Sequence, residues 1–171
     1  MKSKEWLHRQ KKDLYVKKAK TEGYLSRAAF KLIEIENKFN LVSNSKNILE
    51  LGSSPGSWSQ VICKFNNKAK IHAFDILDMN FKNTQIKFFK ENIFEFDFNV
   101  LKERYDLVLS DVAPNTVGHQ STDHLRIVSV IERMINVVND KIQSHGNFVF
   151  KLWKGSQEKI IFDLLKKKFN K

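Results

Sequence analysis

Apolar residues in this chain recur with two different periods, and the alternation between them predicts the fold. Nearly continuous apolar runs of strand length occupy Asn47–Leu51, Ile71–Ile76, Ile86–Phe89, Asp106–Ser110 and Asn147–Leu152. Between the last two, Ile127, Ile131, Met134, Ile135, Val138 and Ile142 recur at helical spacing. Ser59 to Phe65 reads as a helix after the first strand, and Ile160, Ile161, Leu164 and Leu165 mark a closing one. Upstream, Lys2 to Lys20 is a basic segment with scattered apolar residues (Trp6, Leu7, Leu14, Tyr15, Val16), the pattern of a surface helix. Ser26 can cap a second helix running to about Lys38, with Phe30, Leu32 and Ile33 turned inward.

Short apolar strands separated by helices indicate an α/β fold, with a mainly parallel sheet and helices on both faces. In such sheets ligands bind at the carboxyl ends of the strands. No internal repeat or low-complexity linker interrupts the pattern, so residues 1–171 are expected to form a single domain.

Composition narrows the partners. A formal net charge of +11 suits a polyanion such as nucleic acid, although solubility alone has the same signature. The richness in Lys, Asn, Ile and Phe is also what an AT-rich genome produces, which weakens the inference from charge. No run approaches the roughly 18 apolar residues of a membrane span, and no signal-peptide core is present. Glu5 and Asp13 interrupt what would otherwise resemble a mitochondrial leader, so a soluble, cytoplasmic, monomeric protein is expected. With Cys63 the lone cysteine, no internal disulfide can form, and no histidine spacing suggests zinc.

The strand ends carry the chemistry. The first strand runs into Gly52-Ser53-Ser54-Pro55-Gly56-Ser57-Trp58, a glycine-bearing loop leading into a helix, which lets backbone approach a ligand. A tight turn has the same sequence signature. Asp75 ends the second strand 19 residues after Gly56, near the spacing at which an acid binds ribose hydroxyls. Asn92 follows the third strand, where its amide can meet an adenine edge or simply form a turn. Asp111 ends the fourth strand, and Lys151 stands in the apolar run of the fifth. A buried ammonium requires a partner, and Asp111 on the neighbouring strand is the natural one; the alternative is a lysine that snorkels from the strand end.

Four collinear segments, Ser26-Arg27-Ala28-Ala29-Phe30-Lys31-Leu32, Leu51-Gly52-Ser53-Ser54-Pro55-Gly56-Ser57-Trp58-Ser59-Gln60, Ser110-Asp111-Val112-Ala113-Pro114-Asn115 and Phe150-Lys151-Leu152-Trp153-Lys154-Gly155, resemble the FtsJ/RrmJ family of ribosomal RNA 2'-O-ribose methyltransferases. The resemblance implies a Rossmann-like class I fold and S-adenosyl-L-methionine as cofactor. It would be held at Gly52, Gly56 and Trp58, with Asp75 at its ribose, Asn92 near its adenine and Asp111 near its reactive end. At position 92 the family usually has Asp, and Ser57 stands where a second glycine is common.

Of the family's catalytic Lys-Asp-Lys-Glu set, Lys31, Asp111 and Lys151 match, and the glutamate has no counterpart. The sequence ends before the last two strands of a seven-stranded methyltransferase sheet, so the natural product is expected to continue past Lys171 with both strands and the missing acid. The implied substrate is a uridine of large-subunit ribosomal RNA, with Lys4, Arg9, Lys11, Lys12, Lys17 and Lys18 gripping phosphates. Transfer RNA, messenger RNA caps, and a binding remnant without turnover are the alternatives.

Overall fold

In a computed structural model, residues 13–112, 120–152 and 158–169 are described. Asp13 opens α1 (Leu14–Thr21) as its N-cap, its carboxylate accepting from the Tyr15 amide at 2.8 Å and from the Arg27 guanidinium. The rest of the expected basic segment, including Trp6, Leu7, Lys4, Arg9, Lys11 and Lys12, lies outside the described residues. Helix α2 spans Ala29–Phe39. Ser26 does not cap it directly: its Oγ accepts from the Ala28 amide, and its carbonyl takes the Ala29 amide in a tight lead-in turn.

Five strands follow, β1 (Asn47–Leu51), β2 (Lys70–Asp75), β3 (Ile86–Lys90), β4 (Tyr105–Ser110) and β5 (Ile142–Phe150), with α3 (Ser57–Phe65), α4 (Gln120–Lys141) and α5 (Glu158–Lys168) between and after them. All pairings are parallel, in the order β3-β2-β1-β4-β5. The class of fold and the helical covering of both faces are as expected. Alternate residues of each strand enter opposite cores. Ile48, Ile71, Ala73, Leu107 and Leu109 pack under α2 and α3, with Phe30, Leu32 and Ile62. Leu49, Leu51, Phe74 and Val108 pack under α4 and α5, with Ile131, Met134, Ile135 and Ile161. Burial on both faces explains why β1 reads as a solid apolar run and not as an alternation.

One boundary departs from expectation. The fifth strand begins at Ile142, not Asn147, and ends at Phe150, so Ile142 leaves the helical face and pairs with Tyr105. A register shift then follows on β4 between Tyr105 and Leu107, with His145 at φ 66° and Gly146 packed where a Cβ would meet Ile142 Cγ1 at 2.6 Å. A bulge of this kind breaks the apolar period that marks a strand in sequence. Among the described residues β3 and β5 are the edges of the sheet.

Candidate active site

Strand order reverses direction about β1 and β4, and the carboxyl ends of these two strands open a cleft of about 400 Å³ lined by Gly52, Ser54, Asp75, Asn92 and Asp111 among others. Four of the six positions expected to hold a cofactor thus meet in one space. Gly56 and Trp58 do not line it.

The loop after β1 is held by the end of β2. The Gly52 and Ser53 amides donate to the Phe74 carbonyl at 2.8 and 3.1 Å, and the Ser54 amide donates to Asp75 Oδ2 at 2.8 Å. Asp75 Oδ1 accepts from the Leu77 amide at 2.9 Å, which orients the carboxylate at the mouth of the cleft. Glycine is required at position 52 because its φ is +78° and a Cβ would stand 2.8 Å from the backbone nitrogen of Val112. At Gly56, φ is +111° and a Cβ would meet Phe81 at 2.6 Å. The chain's own packing, more than the approach of a ligand, therefore dictates the two glycines.

Trp58 packs in the core and lines a small recess with Gly52 and Asp111, not the main cleft. It is 5% exposed, and its indole Nε1 donates to the Ala28 carbonyl at 2.9 Å. With it, Ser57 Oγ donates to Ser26 Oγ at 2.7 Å, Gln60 Oε1 accepts from the Leu25 amide at 2.9 Å, and Gln60 Nε2 donates to the Gly23 carbonyl at 3.0 Å. These bonds stitch α3 to the segment leading into α2. Lys31 stands exposed three residues beyond Ala28, which lines a small recess together with Asp111.

Asn92 is pinned in a turn: its Oδ1 accepts from the Phe94 amide and its Nδ2 donates to Glu95, both at 3.0 Å. The expected meeting of the ends of β4 and β5 is observed. Lys151 Nζ lies 2.6 Å from Asp111 Oδ1, with about a quarter of the lysine side chain and a fifth of the aspartate exposed. Lys151 follows the last residue of β5, and its amide still continues the ladder to the Ser110 carbonyl at 2.9 Å. The contact is an ion pair by distance, but its angles are not those of a hydrogen bond, so Asp111 Oδ1 retains accepting capacity. Among the described residues Asp111 pairs with Lys151 and not with Lys31. Ala113, Pro114, Asn115, Trp153, Lys154 and Gly155 lie outside the described residues.

Sequence reading passed over Glu50. It is 1% exposed in β1, and Ser59 Oγ donates to its Oε2. The signal was a single charge in the apolar run Asn47-Ile48-Leu49-Glu50-Leu51, the same signal that marked Lys151. Burial, partly offset by the Ser59 bonds and reinforced by Asp75 and Asp111, pushes the Glu50 carboxyl up to about 8 from 4.5. The folded state thus keeps a proton that the unfolded chain releases, and stability must fall as pH rises from about 4.5 through 8. Glu50→Gln, permanently neutral, is expected to remove that part of the slope, a difference of a few kcal/mol by pH 8 in urea unfolding. Parallel pH slopes for the two proteins would contradict it.

Residues 24–171 match the family model of FtsJ-like methyltransferases. Ribosomal RNA large subunit methyltransferase E of Novosphingobium aromaticivorans is 42% identical over 177 residues, covering 98% of this chain and 77% of the relative. Its counterpart in Rickettsia bellii is 36% identical, covering 98% and 78%. Among solved structures, a Plasmodium falciparum chain named as a ribosomal RNA methyltransferase superposes with a TM-score of 0.76 at 30% identity, covering 84% of this chain and 86% of that one. A Lactococcus lactis chain named as a hemolysin shares the fold at 18% identity and a TM-score of 0.56, so the sheet alone does not fix the chemistry. What fixes the assignment is the family match over residues 24–171 and the 42% identity across nearly the whole chain: the chain belongs to the FtsJ-like methyltransferase family.

Proposed function

We propose that this protein transfers a methyl group from S-adenosylmethionine to a ribose 2'-hydroxyl of large-subunit ribosomal RNA, acting as a cytoplasmic monomer on the large ribosomal subunit. The observation that carries this reading is the Asp111–Lys151 pair at the mouth of the cleft. Its relatives' names point to the same substrate.

The residues present suit the cofactor. A cleft of about 400 Å³ accommodates a nucleoside with a short amino-acid arm, with the Asp75 carboxylate suited to ribose hydroxyls. Asn92 Oδ1 keeps one lone pair for an adenine amine beyond the one used by Phe94. Relative to the family's usual Asp the charge is lost, so this contact is weaker. When bound, the cofactor supplies an electrophilic methyl group. In-line transfer then depends on alignment of the ribose oxygen and removal of its proton.

Lys151 is the group placed to do both. Asp111 restrains its ammonium at the strand end, and a neutral Lys151 would take the 2'-hydroxyl proton at Nζ. Lys31, exposed on α2, would add positive charge that favours the developing alkoxide. Only ribose offers the 2'-hydroxyl, which makes RNA the substrate. The cationic surface, with Lys17 and Lys18 on α1, suits its phosphates.

Incubation with labelled S-adenosylmethionine and ribosomal particles, transfer RNA or capped messenger RNA tests the reading. Label is expected in a 2'-O-methylated nucleoside of large-subunit RNA. Label in transfer RNA or caps instead, or cofactor binding without turnover, would overturn it. For the cofactor site, Asp75→Ala is expected to cost roughly 1.5–3 kcal/mol of affinity by calorimetry, the value of a hydrogen bond to a charged group. Wild-type affinity in that variant would remove Asp75 from the site.

A further inference from the structure

Among the described residues, three buried side-chain atoms lack a hydrogen-bond partner: Glu50 Oε1, Ser53 Oγ and Asp111 Oδ1. They belong to residues that line one recess of about 30 Å³ against the glycine loop, which shares Gly52, Ser54 and Asp111 with the larger cleft. Glu50 is 1% exposed and Ser53 2%. Buried polar groups in native proteins are almost always satisfied, so atoms without a hydrogen bond on three residues lining one small space, Asp111 Oδ1 among them with only the Lys151 ion pair, point to a shared partner. The volume admits one water, and three polar neighbours are what a buried water requires.

We propose that Glu50 is a positioning residue, acting through one water held in this recess to fix the Asp111 carboxylate against Lys151. The inference rests on the reading of Asp111 and Lys151 as the pair that handles the hydroxyl proton. Ser59 holds Oε2, which locks the rotation of the carboxyl and leaves Oε1 for the recess. A neutral Glu50 donates its hydroxyl to the water. The water gives one proton to Asp111 Oδ1 and the other to Ser53 Oγ. Every orphan is then satisfied, and the aspartate can no longer swing away from the lysine.

The charge state of Glu50 sets the strength of this arrangement. Burial keeps it neutral up to about pH 8. The titratable neighbours are Asp75 on β2, Asp111 after β4 and Cys63 on α3, whose thiol is pushed up to about 11 by burial and by Glu50. Lys151 is reached through Asp111. Above pH 8 an ionised Glu50 can only accept, so the water must turn a proton toward it and its bridge to Asp111 is weakened.

Three measurements on the full chain decide it. A high-resolution crystal structure of the wild type is expected to show one ordered water within hydrogen-bond distance of Glu50, Ser53 and Asp111; an empty recess would refute the proposal. In kinetics, Glu50→Ala is expected to lower kcat about 10- to 100-fold with little change in cofactor affinity, and Glu50→Gln to restore most of it. Glu50→Ala at wild-type kcat, or Glu50→Gln no better than Ala, would overturn the positioning role.

Should Glu50→Ala fail to fold, the Lys151 Nζ resonance followed by NMR from pH 6 to 10 carries the test. It should shift across pH 8 in the wild type and not in Glu50→Gln, and an identical titration in both refutes the link. This last readout does not depend on methyl transfer. An active pair with no linkage sinks the positioning role alone, whereas linkage without methyl transfer sinks the proposed reaction alone.

Discussion

Lys151→Ala is expected to lower kcat for RNA methylation by roughly 1,000-fold or more, the upper range for loss of a positioned proton acceptor. Cofactor affinity should change little, because the lysine is proposed to act on the substrate oxygen and does not line the cleft. The loss is compounded by Asp111, 2.6 Å from the missing ammonium, which would then present an uncompensated carboxylate to a developing alkoxide. Lys151→Arg separates two roles. A guanidinium keeps positive charge but cannot give up its proton at usable pH. If Lys151 acts as the base, arginine should fail nearly as badly as alanine; if charge alone matters, arginine should recover much of the rate. Near-normal turnover of Lys151→Ala on ribosomal particles would remove the residue from the mechanism.

The largest effect on stability should come from Gly52→Ala. The substitution imposes a side chain at φ +78°, which costs about 1–2 kcal/mol. It also drives a Cβ to 2.8 Å from the Val112 nitrogen and 2.9 Å from its Cα, adding about 1–3 kcal/mol of overpacking that backbone cannot relieve cheaply. Gly23→Ala is the internal control, since Gly23 has φ +77° but nothing within 4 Å of the added carbon. In urea unfolding, Gly52→Ala should therefore lose clearly more stability than Gly23→Ala. Any surviving folded protein should also be impaired in methyl transfer, because Val112 adjoins Asp111. Equal losses at the two glycines would show that the loop yields where the packing says it cannot.

The sheet was legible in the sequence where burial is two-sided. β1 was delimited to the residue, and β2 to β4 to within one, because continuous apolar runs between polar turns leave few alternatives. The start of β5 was not legible, because His145 and Gly146 interrupt the pattern at a bulge that only the pairing with β4 defines. In the site, Asp111 and Lys151 were found by one rule, that a charge in an apolar strand needs a partner. The same rule applied to Glu50 and was not used there. The motif position of Trp58 says which loop it belongs to, whereas the burial of its side chain against the Ala28 carbonyl 2.9 Å away could not be read from the sequence. The neighbours that exclude a side chain at Gly52 and Gly56, Val112 and Phe81, are distant in sequence and could not be read from it.

The stitching of α3 to the turn before α2 has a thermodynamic consequence. Ser54 hangs on Asp75 in the cleft, while Ser57, Trp58 and Gln60, a few residues along the same loop and helix, hold the segment that leads into α2, which carries Lys31. On the proposed reading, cofactor and RNA would each contact part of this one short stretch of chain. Ordering bought by the first is not charged again to the second, which makes the two binding events positively cooperative even without a change of shape. Such coupling is reciprocal: the factor by which bound cofactor tightens RNA equals the factor by which bound RNA tightens cofactor. After transfer the bound cofactor lacks its methyl and the RNA carries one more, so the same braces loosen together, and release of either product eases release of the other.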